Sequence, residues 1–273
     1  ATLGFFILHE GPLGVFNGTL KEIDYDDLRD SRSESIETTG GWIGITDKYW
    51  LAALIPDQTT PMRGRFRYKE GLDGEKFQVE YRLTGKTIGS GQAVEITNHL
   101  FAGAKVVTLL DRYEEDLGIQ RFDLAVDFGW FYFLTKPLFY LIHYLTGYLG
   151  NIGLAILSVT VIIKLVFFPL ANKSYAAMSR LKKLQPQMMK LREQYGDDKV
   201  KLNTEMMGLY KKEGANPLAG CLPIIIQIPV FFALYKVLFV TIEMRHAPFY
   251  GWIKDLSAPD PTTFFNLFGL LPY

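Results

Sequence analysis

Two apolar stretches constrain this 273-residue chain more than any other feature. Ile152–Leu170 is nineteen residues long with one charge, Lys164; Leu218–Ile242 is twenty-five residues long with one charge, Lys236. A helix of about 20 mostly apolar residues crosses the roughly 30 Å hydrocarbon core of a bilayer. Backbone in hydrocarbon must satisfy its own hydrogen bonds, which favours helix over irregular chain there. Transmembrane helices are therefore expected within 150–171 and 216–242.

Between them the chain is polar. Met178, Leu181, Leu184, Met188, Leu191 and Tyr195 recur at spacings of three and four, one apolar stripe on a helix. Gly196-Asp197-Asp198 interrupts it, Leu202, Met206, Leu209 and Tyr210 continue on a second helix, and Gly214 and Pro217 end that. This predicts an antiparallel helical hairpin over 172–215. Residues 171–215 carry 10 Lys and Arg against 5 Asp and Glu, which puts the hairpin in the cytoplasm by the positive-inside rule. Residues 1–121, with 14 against 19, and 243–273 then lie on the opposite side.

Residues 1–121 read as a soluble β domain. Phe77, Val79, Tyr81 and Leu83 alternate with Gln78, Glu80 and Arg82, and Arg63, Arg65 and Arg67 alternate with Gly64, Phe66 and Tyr68. Gly71-Leu72-Asp73-Gly74 between the two runs reads as a hairpin loop. Further strands are expected at Gly14–Ile23, Trp42–Thr46, Tyr49–Ile55, Gln92–Leu100 and Ala104–Leu110, together an antiparallel sandwich. The arginine row is either an anion site or a solvated face. The chain begins Ala1-Thr2-Leu3, and Gly4–Leu8 is too short for a signal-peptide core and lacks a basic flank; the start reads as a cut through a folded domain.

Phe128–Leu149 is also long and apolar, interrupted by Lys136-Pro137. Were it a span, the chain would need three crossings where two candidates exist, or the basic hairpin would be exported. Its rings, Phe128, Trp130, Phe131, Tyr132, Phe133, Phe139, Tyr140, Tyr144 and Tyr148, suit the headgroup region. The segment 122–149 is expected to be an interfacial amphipathic helix, bent at Pro137.

Lys164 is the most informative residue. It lies eight positions before Asn172, about 12 Å from the cytoplasmic end of its helix. An ionised Lys at a helix centre costs about 2.5–3.5 kcal/mol on insertion scales, so it either faces a polar cavity or snorkels to the inner headgroups. Ser158 and Thr160 lie further out on the same helix, and Thr160 shares the face of Lys164. Gln227 interrupts the second span, and these four residues are the candidate lining of a shared cleft. Both hydroxyls have the alternative of bonding back to their own helix. Pro223 and Pro229 predict bends in the second span. Five of the seven methionines, Met178, Met188, Met189, Met206 and Met207, sit in the hairpin and suit either varied apolar clients or ordinary packing. Arg180, Lys182, Lys183, Lys190 and Arg192 are placed to meet anionic lipid or ribosomal RNA, or form a solvated face.

Enzyme signals are poor. His9, His99, His143 and His246 are scattered with no metal-binding pair, no nucleophile elbow occurs, and Gly85-Lys86-Thr87 has Glu80 where a phosphate loop needs glycine. No catalytic residue, metal or cofactor is expected. The lone Cys221 reads as a small buried hydrophobe.

Leu184-Gln185-Pro186 through Tyr195-Gly196-Asp197-Asp198, then Glu205 to Lys211, resembles the cytoplasmic hairpin of the YidC/Oxa/Alb membrane insertases. Asn216-Pro217-Leu218-Ala219-Gly220-Cys221-Leu222-Pro223, with Gln227-Ile228-Pro229, resembles the start of that family's next membrane helix. Phe122-Asp123-Leu124, Asp127 to Trp130 and Lys136 to Phe139 resemble its interfacial helix, and Gly40-Gly41-Trp42 and Ile55-Pro56 the periplasmic domain of Gram-negative members. The resemblance implies a multi-part membrane protein of the bacterial inner membrane: a partial periplasmic all-β sandwich, an α-helical membrane core, an interfacial helix and a cytoplasmic hairpin. It implies insertion of nascent membrane proteins without nucleotide, alone or with the Sec translocon, with the ribosome and membrane lipids as further partners. The family's hydrophilic groove holds one cation, usually Arg; Lys164 stands there and lacks the forked donor geometry. The family also has an N-terminal helix and later membrane helices that this sequence does not contain, and Phe264–Tyr273 resembles an outer loop. The alternative from a different class is a periplasmic ligand-binding module on a membrane anchor, which a deep aromatic cleft in the sandwich would favour. A solute channel would need polar residues through the outer half of both spans, and Ile152–Leu157 has none.

Overall fold

The computed structural model describes residues 8–72, 74–214, 220, 222–251 and 253–259. These described residues fall into two compact units: one of those in 8–132, 236–247 and 251–259, the other of those in 133–235 and 248–250.

The first unit is built on two antiparallel sheets. Strands β1 (Gly11–Phe16), β2 (Thr19–Glu22), β4 (Trp42–Thr46), β5 (Trp50–Ile55) and β8 (His99–Ala104) form the larger, ordered β2-β1-β4-β5-β8. Strands β3 (Ser33–Thr39), β6 (Pro61–Gly71) and β7 (Gly74–Leu83) form the smaller, ordered β3-β6-β7. The alternating runs pair as expected, with Gly64 opposite Tyr81, Phe66 opposite Val79 and Gly71 opposite Gly74.

Adjacent residues of β4 show how the larger sheet is buried on both faces. Ile43 joins Phe16, Ile23, Leu28, Met62 and Phe66 in a core that draws on both sheets. Phe16 and Phe66 meet edge to face at 6.0 Å, and a β-carbon on Gly64 would lie 2.7 Å from the Phe16 ring, so only glycine fits there. Trp42, pointing the other way along the strand, packs edge-on against Phe122 at 5.5 Å, and Phe122 against Phe101 at 5.5 Å. Helix α2 (Val107–Leu117) and a 3-10 turn (Phe122–Ala125) carry this second layer, with Val107, Leu110 and Ile119 buried.

Three expected strands are corrected. Gly14–Ile23 is not one strand: Asn17 and Gly18, at φ 50° and 74°, make a two-residue turn that folds β2 back on β1. Residues 92–98 are exposed loop, and the strand begins at His99. Beyond Val106 the chain is helix, because Val107, Leu110, Tyr113 and Leu117 recur at helical spacing and outweigh the local preference of valine and threonine for strand. Helix α1 (Tyr25–Ser31) was not anticipated. The arginine row is a face of cross-strand ion pairs, Arg63 to Glu37 and Arg65 and Arg67 to Glu80 at 3.5 and 3.8 Å.

The second unit is helical. Helix α3 (Tyr132–Leu149) continues past Pro137, and α4 runs unbroken from Ile152 to Tyr195 with Pro169 and Pro186 inside it. The first apolar stretch and the first arm of the hairpin are thus one helix of 44 residues. Asp198 caps α5 (Lys199–Lys212) by accepting from the Lys201 N–H at 3.0 Å. Helix α6 (Leu222–Val240) supplies the second apolar stretch. Pro223 lies in its first turn, where no intrahelical donor is lost; Pro229 lies inside. Pro217, Cys221 and Phe264–Tyr273 fall outside the described residues.

Candidate functional site

The start of α4 is tied down. The Asn151 side chain accepts from Leu154 N–H at 3.1 Å and donates to the Pro248 carbonyl at 3.2 Å. Gly153 lies so close to Phe249 that a β-carbon would come within 2.2 Å of the ring. Ile152, Gly153, Ala155 and Val159 are buried. The next buried residue on this helix is Ser174, whose hydroxyl donates to the Gly220 carbonyl at 2.8 Å. Residues 160–173 contain no buried position, and Lys164 is near their middle.

Lys164 is exposed, and among the described residues it makes no hydrogen bond or ion pair. Thr160 is exposed and donates to the Ile156 carbonyl at 2.9 Å, the local bond that was its alternative to lining a cleft. Ser158 and Gln227 are half-buried. Among the described residues no hydrogen bond joins these four to one another, so the shared lining expected from sequence is not drawn together by direct contacts. On α6 the buried residues are Ala233, Val237 and Val240, all in its second half.

A soluble core helix is mostly buried, whereas the apolar windows of α4 and α6 are 11% and 17% buried. Both are long and apolar enough to cross a membrane. Helix α3 hides Thr135, Leu138, Phe139 and Ile142 and leaves Phe133, Tyr144 and Tyr148 exposed, an amphipathic arrangement with an aromatic outer face.

The hairpin sorts its methionines. Leu184 is buried; Leu181, Met188, Leu191, Tyr195, Leu202, Met206, Leu209 and Tyr210 are partly so, and the Tyr210 hydroxyl reaches the Met188 sulfur at 3.7 Å. Met178, Met189 and Met207 are 52%, 57% and 55% exposed. Arg180, Lys182, Lys183, Lys190 and Arg192 are exposed.

Two features of the β unit were missed from sequence. Asp111, Glu114 and Asp123 converge to within 4.8 Å of one another, brought together by the fold of α2 onto the following turn. Internal donors already engage Asp123 and Glu114: Arg121 and the Tyr132 hydroxyl bond Asp123, and the Asp123 N–H donates to Glu114 at 2.9 Å. A groove of about 520 Å³ runs between β8 and α2, lined by Leu100, Phe101, Leu109 and Tyr113 among others.

Comparison with known proteins completes the assignment. Residues 1–141 match the family model described as the YidC periplasmic domain, and 144–272 the one described as 60Kd inner membrane protein. The chain is 58% identical over 268 residues to Membrane protein insertase YidC of Rickettsia canadensis (strain McKiel), covering 98% of this chain and 48% of that protein. It is 57% identical over 270 residues to Membrane protein insertase YidC of Rickettsia rickettsii (strain Sheila Smith), with the same coverage. The chain spans about half the length of the curated relatives it matches. A crystal structure described as active YidC insertase with its first transmembrane domain resolved aligns with a TM-score of 0.42 and 18% identity, covering 91% of this chain and 67% of that one. On the family models and the sequence identity, this chain, with its periplasmic β domain and its membrane helices, belongs to the YidC family of inner membrane proteins.

Proposed function

We propose that the protein containing this chain inserts nascent membrane proteins into the inner membrane through a polar groove bordered by α4 and α6, without chemical catalysis and without a cofactor. The observation that carries this is the stretch 160–173 of α4: apolar apart from Lys164 and its ends, unburied, and anchored at both limits by Gly153–Phe249 and Ser174–Gly220 contacts. A cation kept in such a stretch has a use if water and a client reach it. Ser158, Thr160 and Gln227 add polarity beside it. A hydrophilic client segment enters from the cytoplasm, drawn partly by Lys164, and the following apolar segment moves sideways into lipid. Burial of that segment drives the step, at about 25 cal/mol per Å² of apolar surface. The hairpin, with outward Met178, Met189 and Met207 and the basic residues Arg180, Lys182, Lys183, Lys190 and Arg192, is the cytoplasmic face that meets clients, the ribosome and anionic headgroups. The aromatic face of α3 lies in the outer headgroup layer. Insertion proceeds alone or with the Sec translocon as partner.

The test uses the full-length protein in vesicles and a single-span client with an acidic leading segment. Lys164→Ala is expected to slow insertion while Lys164→Arg retains it. Equal rates for Lys164→Ala and wild type would remove the charge from the mechanism. Water-soluble thiol reagents should also label Lys164→Cys in a Cys221→Ser background. The alternative, a ligand-binding periplasmic module on an anchor, draws on the β8–α2 groove. Phe101 and Tyr113 in its lining pack edge to face on each other at 6.2 Å, not as two parallel faces that would clamp a ligand.

A further inference from the structure

Three parts of the β unit meet at one ionic node. Lys236, in the last turns of α6, places its ammonium 2.8 Å from Asp127 Oδ2, and the two side chains are 13% and 23% exposed. Asp127 also accepts the His9 N–H at 3.3 Å on the same oxygen and the Gly129 N–H at 3.0 Å on the other. Gly129 is needed twice over: its φ is 71°, and a β-carbon there would sit 3.2 Å from Lys236 Cε. His9 reaches Asp24 at 3.4 Å. Around the same helix end, Lys48 lies 3.8 Å over the Phe239 ring and Arg245 lies 5.7 Å over Tyr49.

A lysine near the end of a membrane helix normally extends to the headgroups. Lys236 instead turns onto a carboxylate of the segment by which the chain leaves the β domain, and both groups are largely covered. We infer that Lys236 and Asp127 are positioning residues for insertion: their ion pair holds the end of the second span, from Lys236 onward, on the β domain, so that this helix end stays in place while a client passes. The inference rests on the insertase reading.

The experiment measures initial insertion rates in vesicles, per folded full-length protein, with the acidic-segment client. Folded protein is scored by size exclusion and by protease resistance of the β domain. Lys236→Met and Asp127→Asn are each expected to slow insertion about tenfold, a barrier rise of about 1.4 kcal/mol. Lys236→Arg, which keeps a cation opposite Asp127 and leaves the Asp127 acceptors in place, is expected to retain most of the rate; a residue needed only as bulk packing would not distinguish arginine from methionine in this way. Wild-type rates in Lys236→Met, or Lys236→Arg as slow as Lys236→Met, would overturn the inference. Lys164→Ala, run alongside, tests the insertase reading separately: a slow Lys164→Ala beside a normal Lys236→Met leaves that reading intact and removes this one.

Discussion

The Ser174 hydroxyl donates to the Gly220 carbonyl at 2.8 Å, which ties the base of the hairpin to the chain just before α6. Ser174 is buried, and its partner carbonyl precedes a helix whose first half has no buried residue. Losing the hydroxyl should cost about 1 kcal/mol. Ser174→Ala is expected to lower the thermal stability of the detergent-solubilised full-length protein, and Ser174→Thr, which keeps the donor, to lower it less. Identical melting of Ser174→Ala and wild type would show that the bond contributes nothing.

At the other limit of the open stretch the contact is steric. Gly153 and Phe249 are as close as a glycine allows, with a β-carbon 2.2 Å from the ring. Gly153→Ala must therefore push Phe249 out of place, at about 1–3 kcal/mol for overpacking. Phe249→Leu alone should cost less, and the double variant should be more stable than Gly153→Ala alone. Simple additivity of the two changes, measured by thermal unfolding, would argue that the residues do not touch.

Much of this was legible because period and charge are local. Strand β4 was placed to the residue, and β6 and β7 were found from their alternation, since a half-buried strand writes its two faces into successive residues. The Asn17-Gly18 turn was legible too, since Asn-Gly between two strand-like runs is the signature of a two-residue hairpin, and the expected strand ran over it. The boundary between the first span and the hairpin was drawn at a change of hydropathy, yet a helix crossing from lipid to water keeps its backbone bonds, and α4 runs straight through. Lys164 stood out as one charge in an apolar run. The pairing of Lys236 with Asp127 joins positions 109 apart, and the acidic trio depends on α2 folding against the next turn; neither leaves a trace in linear spacing.

The methionines of the hairpin should divide by function. Met188 touches Tyr210 and Met206 is half-buried, so Met188→Ala and Met206→Ala are each expected to destabilise the hairpin, by about 1–3 kcal/mol given partial burial. Met189 and Met207 point outward, so Met189→Ser with Met207→Ser should leave melting unchanged while reducing photocross-linking of a ribosome-bound client. Unchanged cross-linking in that double variant would assign client contact elsewhere.

Lys105 gives the β domain a stability that depends on alkaline pH. Its side chain is 2% exposed and donates to Thr46 Oγ1 at 2.7 Å. Burial lowers its pKa from the ordinary 10.5 to about 8, against the pull of Asp127, Asp47, Glu10 and Glu22. Below pH 8 the folded and unfolded chains both hold the proton, and the folded state bears the full cost of burying the charge. Between about 8 and 10.5 the folded state releases its proton while the unfolded chain keeps it. The unfolded state then binds more protons, so stability rises with pH through that window, by up to about 3 kcal/mol in all. Tyrosines titrate nearby, so the measurement is the difference between wild type and Lys105→Met in urea titrations of the full-length protein from about pH 7.5 to about pH 11.5. That difference should grow in favour of wild type as pH rises and level off above 10.5; a flat difference would mean that Lys105 keeps an ordinary pKa in the folded domain.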